Sequence, residues 1–346
     1  MICDLNRRAV LTRLAGAGLA AIGPAGLLAG CTPKKLDGLP VNVLSSQGTE
    51  VLTIQQLMIE RGWFKQLGLA PNTLAVKSGT NIIGPLLKDQ ADICIFAGFS
   101  QLITAIEKGA DLKILGGASL KGQQALFAKN PSIRHVKDLE GRTVGIGAIG
   151  AQLHQVALAL LRKKGVDTSQ VRFVNVGSSG DVFRAVVAGS VDAGNGQADV
   201  LASAERLGVH KIQDGDYATE LPEYTWQASF TSTATIKVKR EVLVRTLAAY
   251  CKAFRYVQAP GSRADFVKAQ LDALNPRDRN DTIAQATSQW DYLQMHKIYA
   301  EDLILPPERV QWMQELNVEL GNQKRVLPYD QLIDPSLAKE AVARLT

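Results

Sequence analysis

Histidine and cysteine are scarce, with four of each in 346 residues. His135, His154, His210 and His296 include no i, i+4 pair, so no helix presents two imidazoles to a zinc ion. Gly98-Phe99-Ser100-Gln101-Leu102 lacks the second glycine of a nucleophile elbow. Lysine and arginine are never massed with interleaved aromatics, which leaves nucleic acid without a footprint. Beyond the N-terminal segment no stretch approaches about 18 uninterrupted apolar residues, so no later segment is expected to span a bilayer as a helix. Low-complexity tracts are missing too. These gaps leave little room for a catalyst, a metalloprotein or a nucleic-acid binder.

What is present is a chain that can bury a core, 46% hydrophobic and 21% charged, and its length suits two compact lobes better than one. Its first segment stands apart. Arg7, Arg8 and Arg13 are followed by Leu14 to Gly30, 17 residues without a charged side chain. Gly16, Gly18, Gly23, Pro24 and Gly26 would weaken a mature helix there. The pattern is an export signal, residues 1–30, and Asn6-Arg7-Arg8-Ala9-Val10-Leu11 looks like a twin-arginine version of it. Leu28-Ala29-Gly30-Cys31 resembles a bacterial lipobox, whose cleavage would leave an acylated Cys31 at a membrane surface with residues 31–37 as a tether. A plain signal peptide cut nearby is the alternative. Removing Arg7, Arg8, Arg13 and Asp4 takes the basic count from 39 to 36 and the acidic from 33 to 32, net +4. Cys94 and Cys251 then remain, expected as two buried thiols, with a disulfide between them left open.

From Leu39 onward, short apolar runs alternate with helix-periodic segments, the pattern of an α/β fold. Strands are expected at residues 41–44, 74–76 and 92–96, then at 143–146, 171–176 and 191–193. Helices are expected between them. The two passes echo each other: Leu86-Leu87-Lys88-Asp89-Gln90-Ala91-Asp92 and Val186-Val187-Ala188-Gly189-Ser190-Val191-Asp192 each place Asp five residues after an apolar pair, 100 residues apart. Asp92 and Asp192 read as structural. Residues 225–238, rich in β-branched side chains, are expected to return as a strand. Helices follow over 240–258, 262–273, 281–299 and 307–320.

Gly145-Ile146-Gly147-Ala148-Ile149-Gly150 fits the G-x-G-x-x-G fingerprint between a strand and a helix. A dinucleotide site also needs an acidic residue at the end of the next strand, where this chain reads Val176-Gly177-Ser178-Ser179. No cofactor is therefore expected. Two readings remain for the loop: a seat for a small anion at a helix N-terminus, or a tight turn with nothing bound. His154 reads as an ordinary half-buried histidine.

The run through Gly62-Trp63-Phe64, Gly68-Leu69, Leu87 to Ile93, Gly109 to Lys113, Lys137 to Gly145 and Ala188 to Ala193 resembles periplasmic solute-binding proteins of ABC importers. The nearest group binds nitrate, sulfonates, taurine and thiamine-pyrimidine precursors, and the likeness covers about residues 40–260. It implies a two-lobed, type II-like fold with two hinge crossings and a helical C-terminal region. Lobe 1 would hold residues 38–120 and 228–346, and lobe 2 residues 121–227. Strand ends facing the cleft then select Ser46, Gln47, Gly79, Thr80, Phe99, Ser100, Gly150, Ala151, Asn195 and Gln197, with Trp226 near the return crossing. Gln47 and Ser100 lead that set as side-chain donors directly after strands.

The resemblance implies a monomer without catalytic residues, lipid-anchored on the outer face of a bacterial membrane, that closes on a small-molecule ligand and docks on an ABC permease. Because the selected loops hold donors and no arginine, a sulfonate-type or carboxylate anion is expected. Two rivals stay open: a surface-tethered sensor that signals to a receptor, and a pyrimidine-synthesising enzyme of related fold. The latter goes with a cysteine-rich motif that the chain lacks.

Overall fold

The computed structural model describes residues 38–46, 48–76, 82–277 and 279–345. The expected signal peptide, tether and Cys31 lie outside the described residues, as do Gln47, Gly79 and Thr80.

The first sheet begins with β1 (Leu39–Ser46), where Val41 and Val43 are buried while Asn42 between them is not, the alternation that selects a strand. Helix α1 (Thr49–Glu60) and the short α2 (Trp63–Gln66) lead to β2 (Leu69–Val76), parallel to β1 from Leu39↔Leu69 to Ser46↔Val76. Then come α3 (Ile83–Leu87), the fully apolar β3 (Ile93–Gly98), α4 (Phe99–Glu107) and β4 (Leu112–Gly117). The chain crosses to a second sheet built from β5 (Gln124–Ala128), β6 (Thr143–Ile146), β7 (Arg172–Asn175), β8 (Ala193–Gln197) and β9 (His210–Asp216). Helices α5 (Gln152–Lys163), α6 (Ser179–Ala188) and the one-turn α7 (Tyr217–Glu220) belong to it. It then recrosses to complete the first sheet with β10 (Gln227–Ser232).

The strand orders are β2-β1-β3-β10-β4 and β7-β6-β8-β5-β9. Both follow one plan. Three parallel strands lie at one side, and the fourth position is an antiparallel strand that enters just after a crossing. The 100-residue echo is visible as chemistry: Asp92 Oδ2 accepts the Asn42 N–H at 2.8 Å, and Asp192 Oδ2 accepts the Thr143 N–H at 2.8 Å. In each case the aspartate's own N–H returns the bond, to Asn42 O at 2.8 Å and to Thr143 O at 3.0 Å.

Residues 225–238 are not all strand. Ser232 Oγ accepts the Thr235 N–H at 3.1 Å, an N-cap that starts α8 (Thr233–Val257), so the β-branched Thr233, Thr235 and Ile236 are helical. Tertiary packing overrides propensity here. The helix breaks locally at Lys239, whose ammonium meets Asp92 at 2.6 Å. Its Leu243, Leu247, Tyr250, Cys251, Phe254 and Val257 stripe is buried as the spacing predicts. Cys94 and Cys251 are both buried and free, and burial raises the Cys251 thiol to about 11.

The remaining helices are α9 (Arg263–Leu274), α10 (Arg279–His296), α11 (Pro307–Glu319), α12 (Tyr329–Leu332) and α13 (Ser336–Ala343). They are not confined to the first sheet. Ser288 of α10 donates to Ala198 O at 3.0 Å, and Tyr292 donates to Asp216 Oδ1 at 2.8 Å. Arg309 of α11 bonds Leu120 O at 2.9 Å and Pro222 O at 2.8 Å, one carbonyl beside each crossing. No described helix is long and apolar enough to cross a membrane.

Candidate functional site

A cleft of about 860 Å³ lies between the two sheets. From the first lobe it is lined by the start of α1 (Thr49, Glu50, Val51), by Phe96 and Gly98 of β3, and by Gln101 of α4. The second lobe contributes the loop before α5 (Gly147, Ala148, Ala151) with Gln152 at the helix start, the start of α6 (Ser178 to Asp181), Gln197 at the end of β8, and Asp199 and Val200 after it. Gln123, Gln124, Trp226 and Gln227, on or beside the crossings, complete it. Three helices thus point their N-termini at the space, as open α/β sheets do at the carboxyl ends of their strands.

Of the residues selected from sequence, Ala151, Gln197 and Trp226 line the cleft. Four others turn away from it. Ser100 is buried and gives its hydroxyl proton to Asn317 Oδ1 of α11. Phe99, the first residue of α4, is fully buried among apolar side chains. Asn195 is buried in β8, where Oδ1 accepts the Tyr217 phenol and Nδ2 donates to Leu153 O. Gly150 gives its N–H to His154 Nδ1 at 3.0 Å. Ser46 ends β1, opposite Val76.

The glycine loop before α5 is explained by packing. A side chain at Gly147 would lie 3.2 Å from Gly177 O, and Gly150 holds a φ of +78° that favours glycine. His154 is half-buried behind it, edge-on to Phe173 with ring centroids 4.8 Å apart, and burial lowers its pKa.

What the sequence reading missed is the acceptor side of the wall. Glu50 stands in the first turn of α1, where its carboxylate accepts the Tyr299 phenol at 2.5 Å. Burial pushes its pKa up, against the lowering effect of hydrogen bonds from Tyr299, Gln123 and Ser119; the nearby Asp199 adds repulsion. Asp199 belongs to the turn after β8, and burial raises its pKa too, partly offset by the Val200 and Asp199 backbone N–H groups. The Asp199 Oδ1, Gln123 Oε1 and Gln124 Oε1 atoms are buried without a hydrogen-bond partner. At the third helix N-terminus, Asp181 is occupied in a capping box with Ser178, whose N–H it accepts at 2.9 Å. The described lining holds no Lys, Arg, His or Cys. That wall departs from the expected donor-lined anion seat: acceptors dominate at α1 and the turn after β8, and only the start of α5 is free of carboxylates.

No signal marked Asp199: the 100-residue offset that carries Asp92 to Asp192 pairs it with Phe99, a buried core residue. Glu50 falls at the start of the helix expected after the first strand, but nothing in its spacing marks it as facing a cleft.

Two α/β lobes with a ligand-sized cleft between them form the periplasmic-binding-protein fold, and solved structures bear this out. The aliphatic sulphonate binding protein SsuA from Escherichia coli superposes with a TM-score of 0.67 at 16% identity, over 85% of this chain and 92% of that one. The periplasmic nitrate-binding protein NrtA from Synechocystis PCC 6803 gives 0.67 at 13% identity, over 89% of both chains. The desulfurization enzyme DSZB gives 0.61 at 15% identity, over 89% and 99%. The chain belongs to the NMT1/THI5-like family, whose model matches residues 56–263, more than half its length. No curated protein matches it significantly.

Proposed function

We propose that the chain is the extracytoplasmic solute-binding component of an ABC import system, capturing a small solute between its lobes and presenting the closed form to a membrane permease. The cleft carries this reading. It draws its wall from both lobes, as a capture device requires. The chain is accordingly read as a binder, although one enzyme shares its fold. The resemblance to sulfonate- and nitrate-binding proteins supports the transport role. An anionic group on the solute, sulfonate or carboxylate, would sit at the start of α5, where the helix N-terminus faces the cleft without a carboxylate of its own. Export through residues 1–30, a lipid on Cys31 and a monomeric state complete the proposal.

Thermal unfolding of the purified protein against alkyl sulfonates, nitrate, carboxylates and small amines is the test. A ligand at 100 times its Kd adds about 2.7 kcal/mol, a clear rise in Tm. If no small solute stabilises the protein and none co-purifies with it, the binding role is lost.

A further inference from the structure

We infer that the ligand, in the binding role just proposed, carries a protonated nitrogen that is held between Glu50 of one lobe and Asp199 of the other.

The argument begins with unpaired acceptors. A buried oxygen without a donor costs about 1–3 kcal/mol, and native proteins leave few of them. Three occur together here, on Gln123, Gln124 and Asp199. Gln123 and Gln124 are only 4% and 5% exposed. Gln124 Nε2 donates to Ser179 Oγ at 3.1 Å, and the orientation of the Gln123 amide is set by its Nε2, which faces the Tyr299 phenol oxygen at 3.5 Å. Tyr299 gives its own proton to Glu50, so its oxygen can only accept from Gln123. The two glutamines are adjacent at the start of β5, and Gln123 O accepts the Ala198 N–H beside Asp199 at 3.0 Å. All three residues line the cleft and give it an acceptor wall, with Glu50 as the carboxyl from the facing lobe. Water can satisfy such a wall, but a ligand with several N–H donors and positive charge would both satisfy the oxygens and offset the burial of the two carboxyls.

The same geometry couples binding to closure. Without a cation, burial penalises ionising either carboxyl, and the repulsion from Asp199 adds to that penalty at Glu50. A primary ammonium, amidinium or guanidinium between them turns that repulsion into attraction from both lobes. As the carboxyls ionise, their protons leave to solvent. Among the other acidic groups at the cleft, Asp181 is exposed and already held by Ser178 and Arg184, and burial together with Glu50 keeps the Tyr299 phenol protonated.

Matched probes test this: taurine against isethionate, 4-aminobutyrate against 4-hydroxybutyrate, and butane-1,4-diamine against butane-1,4-diol. Within each pair only nitrogen and hydroxyl differ. Titration calorimetry in two buffers of different protonation enthalpy is expected to show at least one amine binding tenfold or more tighter than its alcohol, with net proton release. Glu50→Gln and Asp199→Asn should each erase most of that preference and of the proton release, while both variants unfold cooperatively. Equal binding of the two members of every pair, or tighter binding of the alcohols, overturns the inference and leaves the binding role standing. Failure of all six to bind also overturns it, and the binding role is then decided separately by whatever solute co-purifies.

Discussion

The two lobes share a strand plan and an aspartate hinge of hydrogen bonds, yet they fill the centre of their sheets in opposite ways. In the first, β3 reads Ile-Cys-Ile-Phe-Ala-Gly, and its side chains are the core: Phe96 packs edge-on to Tyr250 and Phe254, at centroid distances of 6.0 and 5.9 Å. In the second, the equivalent β8 reads Ala-Gly-Asn-Gly-Gln, and bulk comes from neighbours, with Phe127 of β5 and Phe183 of α6 meeting edge-on at 5.3 Å over it. A topology can thus repeat while its volume is redistributed among strands, because packing density constrains the sum and not its source. The same freedom lets the turn after the strand differ, with Phe99 driven into the core of one lobe and Asp199 into the cleft from the other.

The largest expected difference between the lobes lies at their paired aspartates. Asp92 is 4% exposed and carries both the Asn42 N–H and the Lys239 ammonium. Asp192 is more open and holds the Thr143 N–H. Asp92→Ala should cost about 3 kcal/mol and Asp192→Ala about 1.5 kcal/mol, from hydrogen bonds to charged groups worth roughly 1.5–3 kcal/mol each. Urea unfolding of the two variants measures both; equal losses would mean that Lys239 adds nothing.

Glycine gives the second contrast. A side chain at Gly196 would fall 2.7 Å from the Phe127 ring and 2.9 Å from Phe183, both fixed by the core. At Gly98 it would meet only the ends of Gln152 and Gln101, at 3.1 and 3.3 Å. Gly196→Ala should cost about 2 kcal/mol by overpacking. Gly98→Ala should leave stability nearly unchanged and act on ligand affinity instead, since Gly98 lines the cleft. Denaturation and ligand titration on the same two proteins separate these effects.

The repeat was readable in advance because it is local: an apolar pair, a turn and an aspartate recur within seven residues. Parallel strands and the long helical stripe of α8 were readable for the same reason, as periodicity survives without knowledge of partners. Strands β5 and β9 escaped notice because their burial is set by distant pairing, β5 with β8 and β9 with β5. Site residues failed by direction. Of the polar residues expected behind strands, Gln197 lines the cleft, but Ser100 was claimed by Asn317, 217 positions away, and Asn195 by Tyr217. Glu50 and Asp199 gain their meaning only when the two lobes face each other, which no spacing along the chain reveals.

The smallest expected effect concerns that pair and pH. Burial raises both folded-state pKa values above those of the unfolded chain, so between the usual carboxylate range and the raised values the folded protein binds more protons than the unfolded one. Stability from these groups is therefore present at low pH and falls as pH rises through the raised values, opposite in sign to a salt-bridged carboxylate. Glu50→Gln removes one ionisation while keeping a group that can accept from Tyr299. The ligand-free variant should consequently lose less stability than the parent protein as pH is raised from 4 to 8, although it binds ligand more weakly. Thermal unfolding across that range decides the point: a variant that is uniformly less stable, with the parent's pH slope, would make Glu50 a structural partner of Tyr299 and nothing more. The predicted gain would instead show that the first lobe sacrifices stability to keep a carboxyl facing the second, a cost commonly found where a site has been shaped for binding.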